Sequence, residues 1–290
     1  MKKHVTISLL IALLLFIVIF SSKRNTDLAA SIDPQNQEDI LAQSDSEHLY
    51  SSLENTTNKY RDLLKQYKKG AGEGSAIAQY NLGIMYEHGN GVFQNYKEAK
   101  KWYLKAAEQG HALAQYNLAI MFLKGTGIAQ DYIAALNWHR KSAEQGCALA
   151  QHNLGVMYFR GEGVTQDYNE AAKWYGKAAA LGNLGAQSNL GLMYAEGLGV
   201  AQNYIEAVKW SRKAAEQGCI VAQHNLGILY AKGLGVDQDD LKAYMFFNIA
   251  AANGSEVARE SQNRMSERLT AEQINKAQEM AQKWMEKYSH

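Results

Sequence analysis

The sequence predicts an all-α fold, a solenoid of antiparallel helix pairs repeating every 36 residues. Two observations predict it. Five stretches hold a common register, marked by Gln79, Gln115, Gln151, Gln187 and Gln223 and by the glycine pairs that begin at Gly89, Gly125, Gly161, Gly197 and Gly233. A further glycine closes each unit (Gly110, Gly146, Gly182, Gly218, Gly254), and an aromatic stands between at Trp102, Trp138, Trp174, Trp210 and Phe246. A fixed period of roughly 20–50 residues is the mark of a solenoid, in which each unit buries its apolar face only against its neighbours. The single proline, Pro34, lies outside the repeats, and nothing signals a long strand.

From the N-terminus, Lys2 and Lys3 precede an apolar run from Val5 to Phe20. That is the pattern of a secretory signal or a membrane anchor over residues 1–22. The run is long for a signal core of about 7–15 residues and slightly short for a span of about 17–25. Ile19-Phe20-Ser21 is a poor cleavage site, which favours an uncut anchor over a cleaved signal. Either way the repeats are expected outside the cytoplasm, inner-membrane-anchored and facing the periplasm, or periplasmic or secreted. Residues 23–59 read as a polar tether.

Counting back one period from Tyr96, Tyr103 and Gly110 lands on Tyr60, Tyr67 and Gly74. Residues 60–75 therefore read as half a repeat, a lone second helix capping the stack. The five full repeats occupy residues 76–254. In the third, Ala150, Leu154, Met157 and Tyr158 recur at helical spacing. Gly161-Glu162-Gly163 ends that helix. Asp167 with Glu170 three residues later has capping-box spacing. Ala171, Trp174, Tyr175 and Ala178 form a second stripe. Helix A is thus expected near residues 148–160 and helix B near 167–181. Gly83, Gly155, Gly191 and Gly227, with Ala119, recur in mid-helix A. Glycine there costs about 0.5–1 kcal/mol relative to alanine, so its recurrence predicts close approach of helix B. After Gly254 the register fades. Residues 255–290 read as C-terminal capping helices, with Thr270 and Gln273 as a capping box and Met280 and Trp284 covering the last repeat.

The stretch A-x-A-Q-x-N-L-G-x-M-Y, then G-x-G-V, then D-Y-x-x-A-x-x-W, read from Ala148 to Gly182, resembles the Sel-one-like repeat family of tetratricopeptide-like proteins. The resemblance covers about Ala76 to Gly254. It implies a right-handed superhelix serving as a scaffold for protein contacts. It also implies a bacterial exported chain, working in envelope or host-contact processes. Cysteine-rich members of the family carry paired cysteines in each repeat and have been linked to penicillin binding and β-lactam hydrolysis. Here Cys147 and Cys219 share one repeat position and no serine has a lysine partner, so that enzyme reading is disfavoured. A structural spacer in an envelope assembly is the closer alternative.

Chemistry-bearing patterns are few. The histidines are scattered, with His152 and His224 in one slot two repeats apart, too far for a shared metal. No G-x-S-x-G, H-E-x-x-H or P-loop pattern occurs. No catalytic residue, metal or cofactor is expected. Formal net charge is +1, and setting aside residues 1–24 with Lys2, Lys3, Lys23 and Arg24 leaves 26 basic against 29 acidic side chains, which argues against nucleic acid as a partner. The expected partner is a protein or peptide, with the membrane reached only through an uncut N-terminal segment.

Helix A carries the candidate site. Asn81, Asn117, Asn153, Asn189 and Asn225 are identical in all five copies. Such a ladder either bonds a neighbouring helix or grasps a partner from the concave groove. The slot before each asparagine varies: Tyr80, Tyr116, His152, Ser188, His224. Variable groove positions are where specificity can live, and Tyr80, Tyr116 and Phe159 read as anchors, with His152 and His224 beside them.

Overall fold

A computed structural model of the chain describes residues 58–288. The proposed N-terminal anchor and nearly all of the tether lie outside the described residues. All regular structure among the described residues is helical. Helix α1 spans 58–72. Five pairs follow: α2 (Ala76–His88) with α3 (Tyr96–Glu108), α4 (Ala112–Lys124) with α5 (Tyr132–Glu144), α6 (Ala148–Arg160) with α7 (Tyr168–Ala180), α8 (Leu184–Glu196) with α9 (Tyr204–Glu216), and α10 (Ile220–Lys232) with α11 (Asp240–Ala252). Two helices close the chain, α12 (Glu256–Ser266) and α13 (Ala271–Tyr288). From α2 to α12 each helix packs on its sequence neighbours, A on B within a pair and B on the next A, which makes the α-solenoid, and α13 folds back onto α11.

The same local devices cut every helix to length. Gly161 ends α6 at φ 72°, a left-handed value that side chains resist, and its N–H bonds the Met157 carbonyl. Asp167 starts α7 by accepting from the Asn169 and Glu170 N–H groups. Gly163 serves a different purpose. A Cβ there would come within 2.5 Å of the Tyr132 carbonyl oxygen, so the second glycine of each pair lets one turn ride on the preceding helix B.

The mid-helix glycines do what their recurrence predicts. A Cβ on Gly155 would lie 2.6 Å from the Tyr175 ring, and Gly83 and Gly227 stand likewise against Tyr103 and Phe247. Buried alanines let the helices approach, and Leu118, Met121, Leu154, Met157 and Leu226 fill the layers between pairs. The tryptophans are half-buried rather than enclosed. Trp174 packs on the layer of Leu136, Leu154 and Met157 and carries Lys177 Nζ 4.0 Å above its ring.

The register glycines were legible, but the role of the register glutamines was not. Gln115 Nε2 donates to the Ala107 carbonyl at 3.0 Å, and its Oε1 accepts from Gln145 Nε2 at 2.7 Å. This rung ties helix A to both flanking B helices, and Gln79, Gln187 and Gln223 repeat it. Gln151 keeps the first bond, but Leu181 stands where its donor should be, and its buried Oε1 has no partner.

Both ends are capped. Helix α1 packs Tyr60, Leu64 and Tyr67 on the first pair. At the other end the 36-residue register runs further than the sequence suggests. Ser255 caps α12 as Cys219 precedes α10, and Ala258 and Met265 are buried where Ala222 and Leu229 are. Helix α12 is a sixth, degenerate helix A. Its polar positions hid it: Gln262 replaces the leucine of the motif. The Thr270–Gln273 capping box forms as expected, with reciprocal bonds of 2.9 and 3.3 Å. Trp284 then stands edge-on to Phe246 at 5.0 Å. That cover leaves Phe246 1% exposed, whereas the tryptophans it replaces stay half-open.

Candidate functional site

The helix A residues singled out above fall into one repeated arrangement. In the first pair Tyr80 of helix A and Tyr103 of helix B bring their rings to 5.9 Å. Tyr116 and His139 do so at 5.6 Å, His152 and Tyr175 at 5.7 Å, and His224 and Phe247 at 5.5 Å. In the first, third and fifth pairs the helix B ring lies against the mid-helix glycine of helix A. The asparagine of the next repeat then closes the layer. The Asn117 amide faces the hydroxyls of Tyr80 and Tyr103 and favours their ionised forms. Asn153 faces that of Tyr116 and Asn189 that of Tyr175 in the same way, and Asn189 Nδ2 lies 3.3 Å from His152 Nε2. At the end of the stack Ser261 takes the asparagine's place and meets His224 Nε2 at 3.1 Å.

The ladder therefore spends three of its amides on the preceding repeat. All five asparagines are half-buried between layers, and Tyr80, Tyr116, His152 and His224 are half-buried too. Phe159 lies apart from these rings. It packs beside Tyr168 at 5.1 Å, near the turn that joins its own helices. Sequence reasoning missed the helix B half of the arrangement. Reading the column Tyr103, His139, Tyr175, Ser211, Phe247 beside the column that starts at Tyr80 would have revealed it, because both hold rings in four repeats and both turn to serine in the fourth.

Burial sets the electrostatics. Tyr103 donates to Glu87 Oε2 at 2.5 Å, and burial with that carboxylate holds its hydroxyl far above the ordinary phenol range. Burial pushes Tyr175 up to about 12. His139 is fully enclosed, neither ring nitrogen has a partner, and burial pulls it down to about 4. Burial also lowers His111, His152 and His224. His111 caps α4 through Nδ1, which accepts from the Ala114 N–H at 3.2 Å. Cys147 and Cys219 hold the same N-cap slot without a side-chain bond, and both are free thiols. Among the described residues no group of three or more His, Cys, Asp or Glu side chains comes together to hold a metal ion. No described helix is long and apolar enough to cross a membrane.

The A helices present variable side chains beside these layers. Lys124, Arg160, Glu196 and Lys232 occupy one column near the helix ends and are exposed. Between the fourth and fifth pairs, where α8 also touches α10, a cavity of about 330 Å³ opens among Leu192, Glu196, Asn225, Ile228 and Lys232.

The Sel1 repeat profile matches residues 76–111, 112–147, 148–183, 185–219 and 220–255, more than half of the chain. The chain belongs to the Sel1 repeat family. Solved structures agree. It is 40% identical, with a TM-score of 0.73, to c5321, a protective antigen present in uropathogenic Escherichia coli strains that displays an SLR fold. That alignment covers 78% of this chain and 48% of the antigen, so the chain spans less than half of the antigen's length. A Sel1 repeat protein from Oxalobacter formigenes is 33% identical with a TM-score of 0.66, over 79% of this chain and 98% of that one. No curated protein matches the chain. The Sel1 assignment places the five family repeats on the five helix pairs, with α1, α12 and α13 outside or at the edge of them.

Proposed function

We propose that this chain is an exported, non-catalytic scaffold that binds a protein or peptide partner along the groove lined by its A helices, in a bacterial envelope or host-contact process. One observation carries the reading. The positions that stack the solenoid repeat almost without change, while those on the open A face vary from copy to copy. Lys124, Arg160, Glu196 and Lys232 share a column, as do Leu123, Phe159, Ala195 and Ala231. Stacking does not require that variety, and a partner of defined sequence would. The candidate contacts are Tyr80, Asn81, Tyr116, Asn117, His152, Asn153, Phe159, Asn189, His224 and Asn225. Because Asn117, Asn153 and Asn189 face the preceding layer, they contribute to binding by fixing the groove's shape as much as by direct contact.

Export is supported by the Val5–Phe20 run behind Lys2 and Lys3, and the description of c5321 as a protective antigen fits a chain displayed beyond the cytoplasm. A phosphatase joined after His290 should be active in the producing cell, and an inactive fusion would reverse that part of the reading. The groove is tested by placing a photo-crosslinking residue at Leu192, on the A face, and at Lys173, on helix B. A discrete protein adduct from Leu192 and none from Lys173 is expected. The reverse pattern would move the site to the helix B face.

A further inference from the structure

Four of the five helix pairs bury two rings between their helices. The fourth does not. Both columns turn to serine there together, at Ser188 and Ser211. The backbone of the fourth pair nevertheless keeps the device that makes room for a ring. Gly191 stands where Gly83, Gly155 and Gly227 stand, and a Cβ on it would meet Ser211 Oγ at 2.7 Å, with the Ser211 N and Ala207 carbonyl oxygen of helix B at 3.2 and 3.3 Å, instead of a ring.

What remains is an unfilled ring slot. Ser211 is 1% exposed to solvent and Asn225 is half-buried. In the layers before the second and fourth pairs the matching asparagine faces a phenol oxygen on helix B, as Asn117 does Tyr103 and Asn189 does Tyr175. Asn225 has no phenol to meet. Both groups line the 330 Å³ cavity that opens on the A face, with Leu192, Ala195, Ile228 and Leu229 as its apolar walls. The hydroxyl of Ser211 and the amide of Asn225, set among these apolar walls, suit a ligand group that carries both a ring and a hydroxyl.

We propose that this cavity is a docking pocket for a tyrosine side chain of the partner, its ring lying in the slot that Tyr103 and Tyr175 fill in their own pairs and its hydroxyl meeting the Asn225 amide. The chain's own repeats supply the template: glycine below, a ring between the helices, an asparagine amide on the phenol oxygen. The inference rests on the groove reading above and names one contact within it.

The test needs no partner. The probe is 4-fluorophenol, titrated into the full chain and followed by fluorine NMR. Line broadening is expected with the wild type and is expected to vanish in Ser211→Tyr, where the chain fills its own slot. Ala195→Trp closes the pocket from its rim and should do the same, which keeps the test decisive should Ser211→Tyr fail to fold. Asn225→Ala should weaken the probe about two- to twelvefold, the range for one hydrogen bond. Fluorobenzene, lacking the hydroxyl, should lose affinity by a similar factor. Equal broadening in wild type and both blocked variants, or no broadening at all, would overturn the pocket. Fluorobenzene binding as tightly as fluorophenol would overturn its assignment to tyrosine. Neither failure touches the groove reading, which the crosslinking comparison decides separately.

Discussion

The first and fourth helix pairs share helix length, caps and glycines, yet they solve their interiors differently. The first places Tyr80 and Tyr103 between its helices and closes them with Asn117. The fourth places Ser188 and Ser211 there and leaves Asn225 facing a cavity. The solenoid backbone is thus set by turns, caps and alanine contacts, which are the same in both. The ring layer is an addition that one repeat can lose without losing the fold, and the loss creates a concave feature on an otherwise filled face.

The sharpest way to break that comparison is to empty the first pair. Tyr103→Ala should cost about 3–5 kcal/mol, the range for truncating a buried large aromatic, whereas Ser211→Ala, which removes one hydroxyl beside a cavity, should change stability by less than about 1 kcal/mol. Equal effects on the denaturation midpoint would mean that the ring layer does not carry stability in the first pair.

The second pair sharpens the contrast through pH. His139 fills the ring slot with a folded-state value near 4, against about 6.5 for a free imidazole. The unfolded chain therefore takes up this proton first as pH falls. The stabilising contribution is intact above about pH 6.5 and is lost progressively down to about pH 4, by at most about 3 kcal/mol. His111, His152 and His224 shift in the same direction and add to the loss. His139→Ser, which copies the fourth pair, should flatten the stability–pH curve between those limits. A curve of unchanged slope would place the acid sensitivity elsewhere.

Smaller effects concern the outer supports. Trp174 is half-buried, so Trp174→Ala should cost about 2 kcal/mol, below the range for an enclosed aromatic. A melting temperature equal to wild type would place Trp174 outside the layer of Leu136, Leu154 and Met157. Smaller still, Leu181→Gln restores the missing rung to Gln151 Oε1. It should raise the denaturation midpoint by the equivalent of about 0.5–1.5 kcal/mol with the slope unchanged. A destabilised variant would mean that Leu181 makes apolar contacts worth more than the rung.

Much of this was legible in the sequence because a repeat proclaims its own period. The helix bounds, the Asp167-type caps, the Gly155-type approach and the Thr270 box follow from residue types whose local chemistry has one common outcome. What stayed hidden depends on partners that only three-dimensional register supplies. The Gln115 rung joins residues 30 apart, and Asn117 faces the ring pair of another repeat. Helix α12 escaped because its leucine position holds Gln262, which reaches Tyr244 and Asn248 instead of the core. The candidate site was legible as a set of columns, but not the fact that most of its rings face one another.

The central claim, that the A face binds a partner and the B face does not, is tested most directly by charge reversal on each. The measurement is the affinity of the crosslinked partner, once purified, for two variants that leave the buried layers intact. Lys124→Glu with Arg160→Glu and Lys232→Glu alters the exposed A-face column, while Lys173→Glu with Lys177→Glu alters helix B. The account predicts at least a tenfold loss of affinity for the first and less than a twofold change for the second, with helical content unchanged in both. Normal binding by the A-face variant together with loss in the helix B variant would contradict it.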